Sequence, residues 1–296
     1  MMKLNKTQFL GIENEYTNPE RAENIIIPFP YEGGVSYGRG TAQAPQAVLD
    51  ASAYLELYDE ILDSEPYRKG IATLAAPSIP KEPYKMIETL FNLCTPIVDS
   101  GKFCGVIGGD HSISSAFAKA LFNRYGKLSV IQLDAHADLR DSYEGSPLSH
   151  ASVMARIRDF TRETLQIGIR SMSAEEAQLW KKENLNLITM ERFRKNEYDL
   201  IALLDKLPDP VFLTLDVDVF DWSVIRSTGT PEPGGMYWDE MMALLQTIFN
   251  KKNVVGFDVV ELSHRKDDIN SPFAAAKLIY KIIGFKQSGK IDAADK

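Results

Sequence analysis

Seven short apolar runs, separated by longer amphipathic stretches, constrain the fold of this chain more than any other feature of its sequence. The runs are rich in Val, Ile, Leu and Phe and show little alternation, which is typical of strands in a parallel sheet covered on both faces. They occupy residues 24–31, 102–109, 128–136, 164–170, 185–190, 211–218 and 253–262. Helices are predicted between them at residues 84–99, 113–125, 150–160, 174–184, 199–207, 238–250 and 272–284. This alternation indicates βαβ crossovers, and therefore a three-layer α/β/α domain around a doubly wound, mostly parallel sheet.

The chain length of 296 residues fits either one large α/β domain or two average ones. We find no low-complexity linker and no internal repeat of fixed period. We therefore predict a single domain over residues 1–296, with its core at residues 23–285. The polar N-terminal residues 1–22 and the charged tail at residues 286–296 are predicted to be loosely held.

The charge and the cysteine content exclude several classes of protein. A net charge of −8, with lysines and arginines dispersed, argues against nucleic acid or an anionic membrane surface as the main partner. The N-terminus lacks the apolar segment of a signal peptide, and no stretch reaches the roughly 20 apolar residues that span a bilayer. Cys94 and Cys104 lie in no metal-binding or redox spacing and are expected to be reduced and buried. We predict a cytoplasmic protein.

The residues capable of chemistry follow the predicted strands, where α/β sheets place their functional sites. Four such strand ends stand out, at residues 108–112, 133–138, 215–221 and 257–261. In an extended strand, Asp134, His136 and Asp138 would point the same way, as would Asp216 and Asp218. These five side chains are expected to converge above the sheet, and His111 is a plausible sixth.

Four carboxylates in one place predict a metal site, because like charges packed together cannot all remain ionised. A single Asp-x-His at a strand end is more often structural. The Asp-x-His-x-Asp at residues 134–138 together with the Asp-x-Asp at residues 216–218 favours metal binding. Oxygen ligands with imidazole and without thiolate favour an ion such as Mn²⁺ over structural zinc. Six ligands exceed what one ion that keeps water can use, so two ions sharing a carboxylate are favoured. Four carboxylates and two divalent ions would together be nearly neutral, and such a site suits a cationic substrate such as guanidinium. Gly108-Gly109 lacks a nucleotide-binding pattern, so nucleotide binding is rejected.

Three motifs resemble the signatures of the ureohydrolase family, to which arginase, agmatinase, guanidinobutyrase and formimidoylglutamase belong. They are Gly-Gly-Asp-His-Ser at 108–112, Asp-Ala-His-Ala-Asp at 134–138 and Asp-Val-Asp-Val-Phe-Asp at 216–221. The resemblance implies an arginase-like domain with two Mn²⁺ per chain and assembly as a homotrimer or homohexamer. Carried over motif by motif, it implies that the metal ligands are His111, Asp134, His136, Asp138, Asp216 and Asp218.

The same resemblance implies two catalytic residues. Ser149-His150-Ala151-Ser152 is similar to the segment that carries the family's proton-shuttling histidine, so His150 would protonate the leaving amine. Asp258-Val259-Val260-Glu261 is similar to the segment whose glutamate holds the guanidinium, so Glu261 would orient the substrate. Asp110 and Asp221 would orient metal ligands. In the hypothesised mechanism the metals activate water, which attacks the guanidino carbon, and urea and an amine leave.

The choice of substrate rests on the loops. Residues 34–41, 55–59 and 228–235 resemble the agmatinase branch, which implies agmatine as substrate and putrescine and urea as products. N1-aminopropylagmatine, guanidinobutyrate and arginine stay open, the last because Arg140 is able to pair with a carboxylate. The distal ammonium of agmatine needs an acidic partner, for which Glu144, Glu175 and Glu176 are candidates.

Two segments depart from the family pattern, and two rival functions compete with a ureohydrolase. Residues 222–226 replace the usual proline and small residues, and His264 follows Ser263 where many agmatinases have proline. Both segments are expected to border the pocket.

One rival is a metal-dependent amide hydrolase of the deacetylase type with a single zinc, against which the full ligand set argues. The other is a catalytically silent family member acting as an assembly partner or regulator, against which His150 and Glu261 argue.

Overall fold

Parallel strands form one central sheet in the computed structural model, which describes residues 3–34 and 36–289. Eight strands lie in this described part of the chain: β1 Asn24–Phe29, β2 Ile71–Thr73, β3 Phe103–Gly108, β4 Ser129–Leu133, β5 Thr164–Ile169, β6 Leu187–Thr189, β7 Val211–Asp216 and β8 Val254–Val260. Their order across the sheet is β2-β1-β3-β8-β7-β4-β5-β6, and each named pair is parallel. Every residue of β1, β3, β4, β5, β7 and β8 is buried, which explains why these runs lack alternation.

Helices cover both faces of the sheet. Those in the described residues are α1 Ala44–Ser52, α2 Pro83–Asp99, α3 Ser114–Tyr125, α4 Val153–Arg158, α5 Ala174–Glu183, α6 Met190–Arg194, α7 Leu200–Lys206, α8 Trp238–Lys251 and α9 Asn270–Ser288. Two hydrophobic clusters fill the spaces between the layers. Ile25 and Ile27 of β1 belong to the cluster under α2, α3 and α4, whereas Ile26 belongs to the cluster under α1, α8 and α9. The predicted three-layer α/β/α domain with a parallel sheet is therefore confirmed.

The sequence predicts the long elements and misses short ones. All seven predicted strands and all seven predicted helices are present, most with shorter bounds. Strand β2, with three residues at the sheet edge, is too short to give a periodic signal. Helix α1 has Pro45 in its first turn, and the five-residue α6 overlaps the end of a predicted strand. Residues 150–152 form a 3₁₀ helix before α4, where a continuous α-helix was expected.

The prediction of a loosely held N-terminus is wrong for residues next to the sheet edge. Phe9 is fully buried, and its backbone N–H donates to Thr73 Oγ1 of β2 at 2.9 Å. The N–H of Leu10 donates to Ser52 Oγ at 2.8 Å. This segment therefore covers core that the polar composition of residues 1–22 conceals. Helix α9 extends to Ser288, and the rest of the predicted C-terminal tail, residues 290–296, lies outside the described residues.

Two further features bear on the class of the protein. Within residues 3–34 and 36–289, no helix combines the length and the apolar character that crossing a bilayer requires. Cys94 and Cys104 are both buried and unbridged.

Candidate metal centre and active site

The strand ends that carry the predicted ligands are neighbours at the centre of the sheet. Strands β3, β8, β7 and β4 follow one another in that order. Because they are parallel, their carboxyl ends lie on one edge of the sheet. The segments after them bring together His111, Glu261, the Asp216–Asp218 segment and the Asp134–Asp138 segment.

The sequence predicts that these side chains converge because residues alternate along a strand. The structure shows a different cause. Strand β4 ends at Leu133, and Asp138 has a left-handed φ of 52° that no strand adopts. Strand β7 ends at Asp216, and residues 217–219 form a 3₁₀ helix in which the N–H of Asp218 donates to Asp216 Oδ1 at 2.8 Å. Tight turns after the strands therefore point these carboxylates toward one another.

The first ligand cluster consists of His111, Asp134, Asp138 and Asp216. His111 Nδ1 lies 3.2 Å from Asp134 Oδ2, 3.2 Å from Asp138 Oδ2 and 3.4 Å from Asp216 Oδ2. His111 is buried, and its Nε2 lies 2.9 Å from the hydroxyl of Thr214 in β7. When Nε2 donates to that hydroxyl, Nδ1 keeps its lone pair, which is the tautomer that binds a metal through Nδ1.

The second ligand cluster consists of Asp134, His136 and Asp218. His136 Nδ1 lies 2.8 Å from Asp218 Oδ2 and 3.7 Å from Asp134 Oδ1. The other ring nitrogen, Nε2, lies 3.8 Å from Glu232 Oε1. Asp134 therefore contributes one carboxylate oxygen to each cluster.

The donor atoms fit a pair of metal ions. Ligand atoms of His111, Asp134 and Asp216 lie within 4.8 Å of one another, as do those of Asp134, His136 and Asp218. His111 Nδ1 and Asp218 Oδ2 are buried and make no hydrogen bond, although charged groups lie close by. Buried polar atoms without partners are costly, and a cation between these donors removes that cost.

The pKa shifts of the ligand residues also favour bound cations at this site. Burial raises the pKa of Asp216 well above its usual value, and the nearby Asp218 and Asp134 carboxylates add to the effect. Burial and the charge of Asp134 raise the pKa of Asp138 to about 7. Burial would lower the pKa of His136, but Asp218 and Asp134 outweigh it and raise that pKa to about 12. A cation bound by these groups would compete with their protons.

The two residues predicted to be catalytic, Glu261 and His150, differ in their surroundings: Glu261 contacts the backbone of His111, and His150 lines a cavity. Glu261 is buried with a φ of 64°, and its Oε1 accepts the backbone N–H of His111 at 2.7 Å. Burial raises the pKa of Glu261 well above its usual value. His150 packs edge-on against the ring of Tyr143 at 5.7 Å and lies 3.4 Å from Ser149 Oγ. Burial lowers the pKa of His150, so that its imidazole is mainly neutral at pH 7.

A cavity of about 240 Å³ opens beside both clusters. It is lined by Ser36, His136, Ala137, Asp138, Arg140, Tyr143, His150, Ala151, Ser171, Met172, Glu176 and Thr230. Glu261 is not among the described residues that line this cavity, and its carboxylate contacts the backbone N–H of His111. The cavity is large enough for a short linear molecule and has both polar and apolar walls.

The glutamates suggested for the substrate's ammonium occupy different environments. Glu176 lines the cavity, but its two oxygens accept the N–H groups of Leu139 at 2.8 Å and Ser173 at 2.6 Å. It closes the capping box at the start of α5. Glu144 and Glu175 are exposed and are not among the described lining residues. Of the three, Glu176 alone lies at the described cavity wall.

The carboxylates of Asp110 and Asp221, which are predicted to orient metal ligands, accept hydrogen bonds from neighbouring loop residues. Asp110 is buried, and its carboxylate accepts the N–H groups of Gly34 at 2.6 Å and Ser112 at 2.9 Å. The carboxylate of Asp221 accepts from Ser223 N and Oγ, at 3.1 and 2.8 Å.

Sequence reasoning missed several supporting residues. The amide of Gln132 in β4 donates to Asp134 Oδ2 at 2.7 Å, and Thr214 in β7 holds His111. Both are polar residues inside buried strands, a signal that the sequence does contain. Arg170 and Glu232 lie beside the second ligand cluster. Arg170 is outside the family-like motifs, and Glu232 is inside the segment at residues 228–235, where the resemblance gives it no individual role.

Comparisons with known proteins agree with this site. The model of the arginase family matches residues 22–284. The N(1)-aminopropylagmatine ureohydrolase of Synechocystis is 36% identical over 94% of this chain and 93% of its own length. The agmatinase of Pyrococcus horikoshii is 31% identical over 89% of this chain and 92% of its own length. The structure of the agmatine ureohydrolase of Thermoplasma volcanium superposes with a TM-score of 0.88 and 28% identity, covering 97% of each chain.

Proposed function

Because this chain belongs to the arginase family of hydrolases, we propose that it is a two-manganese ureohydrolase acting on a linear, cationic guanidinoalkylamine. The observation that carries the proposal is the pair of ligand clusters that share Asp134 beside a cavity walled by His150. Neither a single-zinc amide hydrolase nor a silent family member needs two complete clusters. The products would be urea and an amine.

The donor set supports manganese. Carboxylate oxygens and imidazole nitrogens, with no thiolate, suit a hard or borderline divalent ion. The first ion would be held by His111, Asp134, Asp138 and Asp216, and the second by Asp134, His136 and Asp218. Such a pair would supply Lewis-acid activation of water and stabilise the charge that develops during hydrolysis.

The protein's own residues would orient the substrate and move protons. Glu261 is a carboxylate fixed by the His111 N–H, and a guanidinium within reach would pair with it and restore its charge. His150 is mainly neutral at pH 7, so it would accept a proton before it donates one to the departing amine. Its imidazole lies on the cavity wall, where the leaving nitrogen would emerge.

The substrate tail is proposed to be cationic. Arginine and guanidinobutyrate both carry a carboxylate, for which Arg140 is the candidate partner. Arg140 Nε lies 3.7 Å from Glu176 Oε2, and its guanidinium stacks over the ring of Tyr143 at 5.0 Å. Because Glu176 and Tyr143 already contact Arg140, we propose that the cavity wall favours an amine over an acid. Agmatine, which would yield putrescine for polyamine synthesis, is the smaller of the two candidate substrates that meet this requirement.

N1-aminopropylagmatine is a second candidate, and one observation favours it. The Synechocystis relative that carries this name is more similar to the chain than the Pyrococcus agmatinase is, over comparable shares of both proteins. This longer substrate has two cationic nitrogens in its tail. We propose that it is hydrolysed at least as efficiently as agmatine.

The test measures urea release by the Mn²⁺-loaded protein from agmatine, N1-aminopropylagmatine, guanidinobutyrate and arginine in parallel. We expect kcat/KM for the two cationic amines to exceed that for the two acids by at least about 100-fold, since burying an unpaired carboxylate in the cavity is costly. A His150→Asn variant should keep metal binding and lose most of the rate. The absence of urea from all four compounds would overturn the proposal. Light scattering would test the homotrimer or homohexamer, which stays a prediction.

A further inference from the structure

Arg170 lies immediately after β5, on the side of the second ligand cluster. Strand β5 is the neighbour of β4 in the sheet, and the N–H of Arg170 donates to Ala135 O at 2.8 Å. The residue is half-buried. It is therefore placed behind the turn that contains Asp134 and His136.

The guanidinium of Arg170 donates to main-chain carbonyls of two separate segments. Its shortest hydrogen bonds are Nη2 to Asp218 O at 2.6 Å, Nη2 to Glu232 O at 2.8 Å and Nε to Pro233 O at 3.1 Å. Longer ones reach Gly168 O and Val219 O, both at 3.4 Å, and Phe220 O at 3.5 Å. One side chain thus joins the 3₁₀ turn at residues 217–219 to the loop at residues 232–233.

Both segments carry groups of the second ligand cluster or its support. The 3₁₀ turn carries Asp218, whose Oδ2 lies 2.8 Å from His136 Nδ1. The loop carries Glu232, whose Oε1 lies 3.8 Å from His136 Nε2. Arg170 therefore holds the backbone of the ligand Asp218 and the backbone of Glu232, whose carboxylate faces the ligand His136.

Arginine suits this role better than lysine. Its planar guanidinium presents five N–H donors in a fixed fork, whereas a lysine ammonium donates from one point and is more strongly hydrated. Carbonyls that a 3₁₀ turn and a loop leave unpaired need donors spread over several ångströms. The cation also lies within electrostatic range of Asp218, Asp134 and Glu232, and so offsets part of their charge.

We propose that Arg170 is a positioning residue for the second metal position, fixing Asp218 and, through Glu232, the ring of His136. This inference rests on the proposed two-metal function and assigns a role to a residue outside the ligand set. The first ligand cluster has different supports, since Thr214 holds His111 and Gln132 holds Asp134 through side chains. Loss of Arg170 should therefore weaken one ion and spare the other.

The test compares Arg170→Met and Arg170→Lys with the wild type and with Arg192→Lys. Arg192 is a matched control because its guanidinium also donates to main-chain carbonyls, those of Glu197 at 2.9 and 3.2 Å and Leu187 at 3.4 Å, at α6. Each full-length protein is dialysed against a series of free Mn²⁺ concentrations. Bound manganese is counted, and electron paramagnetic resonance distinguishes a spin-coupled pair from isolated ions.

We expect Arg170→Met to bind the first ion with a Kd within about threefold of wild type and the second ion about 10- to 100-fold more weakly. The coupled-pair spectrum should give way to that of isolated Mn²⁺ at intermediate loading. Arg170→Lys should fall between the two, and Arg192→Lys should match the wild type. Arg170→Lys keeps the charge and so provides the test if Arg170→Met does not fold.

Two outcomes would overturn the proposal while leaving the proposed function intact. One is a wild-type second Kd in both Arg170 variants. The other is an equal loss of both ions in Arg170→Lys, which would indicate a general structural role. If the wild type itself binds a single ion and never shows the coupled spectrum, the two-metal function fails, and this inference fails with it.

Discussion

The two ligand clusters share a carboxylate but differ in what surrounds them. In the first, the His111 side chain is 1% exposed and is held by the hydroxyl of Thr214 inside the sheet. In the second, the His136 side chain is 24% exposed, lines the cavity and faces Glu232. The first is built like protein core and the second like the wall of a pocket. We therefore expect the first ion to bind more tightly and to exchange more slowly than the second.

The largest effect on metal binding and activity is expected from a substitution of Asp134, because the two ligand clusters share this residue. This carboxylate is fully buried and belongs to both clusters, so Asp134→Asn should weaken both ions together. Urea release at limiting Mn²⁺ should fall by at least about 1000-fold. Metal counting and a urea assay measure the two effects. Asp141→Asn, at an exposed carboxylate that pairs with Arg156, is the control and should match the wild type.

If Asp134→Asn kept one ion at wild-type affinity, Asp134 would not be shared. The two positions would then be independent sites, and the arrangement around His111 and His136 would need another explanation.

The next effect separates the two histidines. His136→Ala should keep one tightly bound ion and lose the second, because His136 belongs to the second ligand cluster alone. His111→Ala should lose the first ion and also lower the melting temperature more, since it leaves a buried gap and removes the hydrogen bond between the imidazole and the Thr214 hydroxyl. Metal counting and thermal unfolding at fixed Mn²⁺ test this pair. Equal behaviour of the two variants would refute the distinction between a core position and a pocket position.

How much of this arrangement the sequence predicts depends on the kind of support. The ligand types and their strand ends are visible, because polar residues directly follow long buried runs. Strand alternation predicts their convergence, but the left-handed φ of Asp138 and the 3₁₀ turn at residues 217–219 produce it. Such turns depend on local hydrogen bonds, for example Asp216 Oδ1 with the N–H of Asp218, rather than on periodicity.

The supports of the two clusters also differ in how far sequence reveals them. Thr214 and Gln132 are polar residues within fully buried strands, so the sequence contains a signal for the first ligand cluster. Arg170 acts through main-chain carbonyls, which every residue has. No residue-type pattern encodes such a contact, and this explains why the support of the second ligand cluster was missed.

A smaller effect is expected from Thr214→Val, which keeps the shape of the side chain and removes its hydroxyl. The Nε2–H of His111 then loses its acceptor, and the imidazole loses its fixed tautomer. The first ion should bind about 10- to 100-fold more weakly, while the Kd of the second changes little. Thr247→Val is a suitable control, since that exposed hydroxyl donates within α8, to Ala243 O at 2.8 Å. A selective loss of the second ion would reverse the assignment of supports.

The smallest effect concerns Asp258, a carboxylate of β8 in the core beneath the first ligand cluster. Neither oxygen makes a well-aligned hydrogen bond. Burial raises its pKa to about 6, against the opposing effects of His111 and of the nearby Ser114 and Thr214 hydroxyls. A carboxyl whose pKa is higher folded than unfolded contributes stability below its unfolded pKa near 4, and that stability is lost as the pH rises through 6.

Metal-free wild-type protein should therefore lose roughly 2 kcal/mol of unfolding free energy to Asp258 between pH 4 and pH 7. Asp258→Asn removes the titrating group and should flatten that part of the pH profile, measured by denaturant unfolding. It should leave both Mn²⁺ affinities within about threefold of wild type, because Asp258 touches neither ion's ligands through a hydrogen bond. An unchanged pH profile would mean that Asp258 titrates normally. A selective loss of the first ion would instead show that the support of the buried position extends one layer deeper than Thr214.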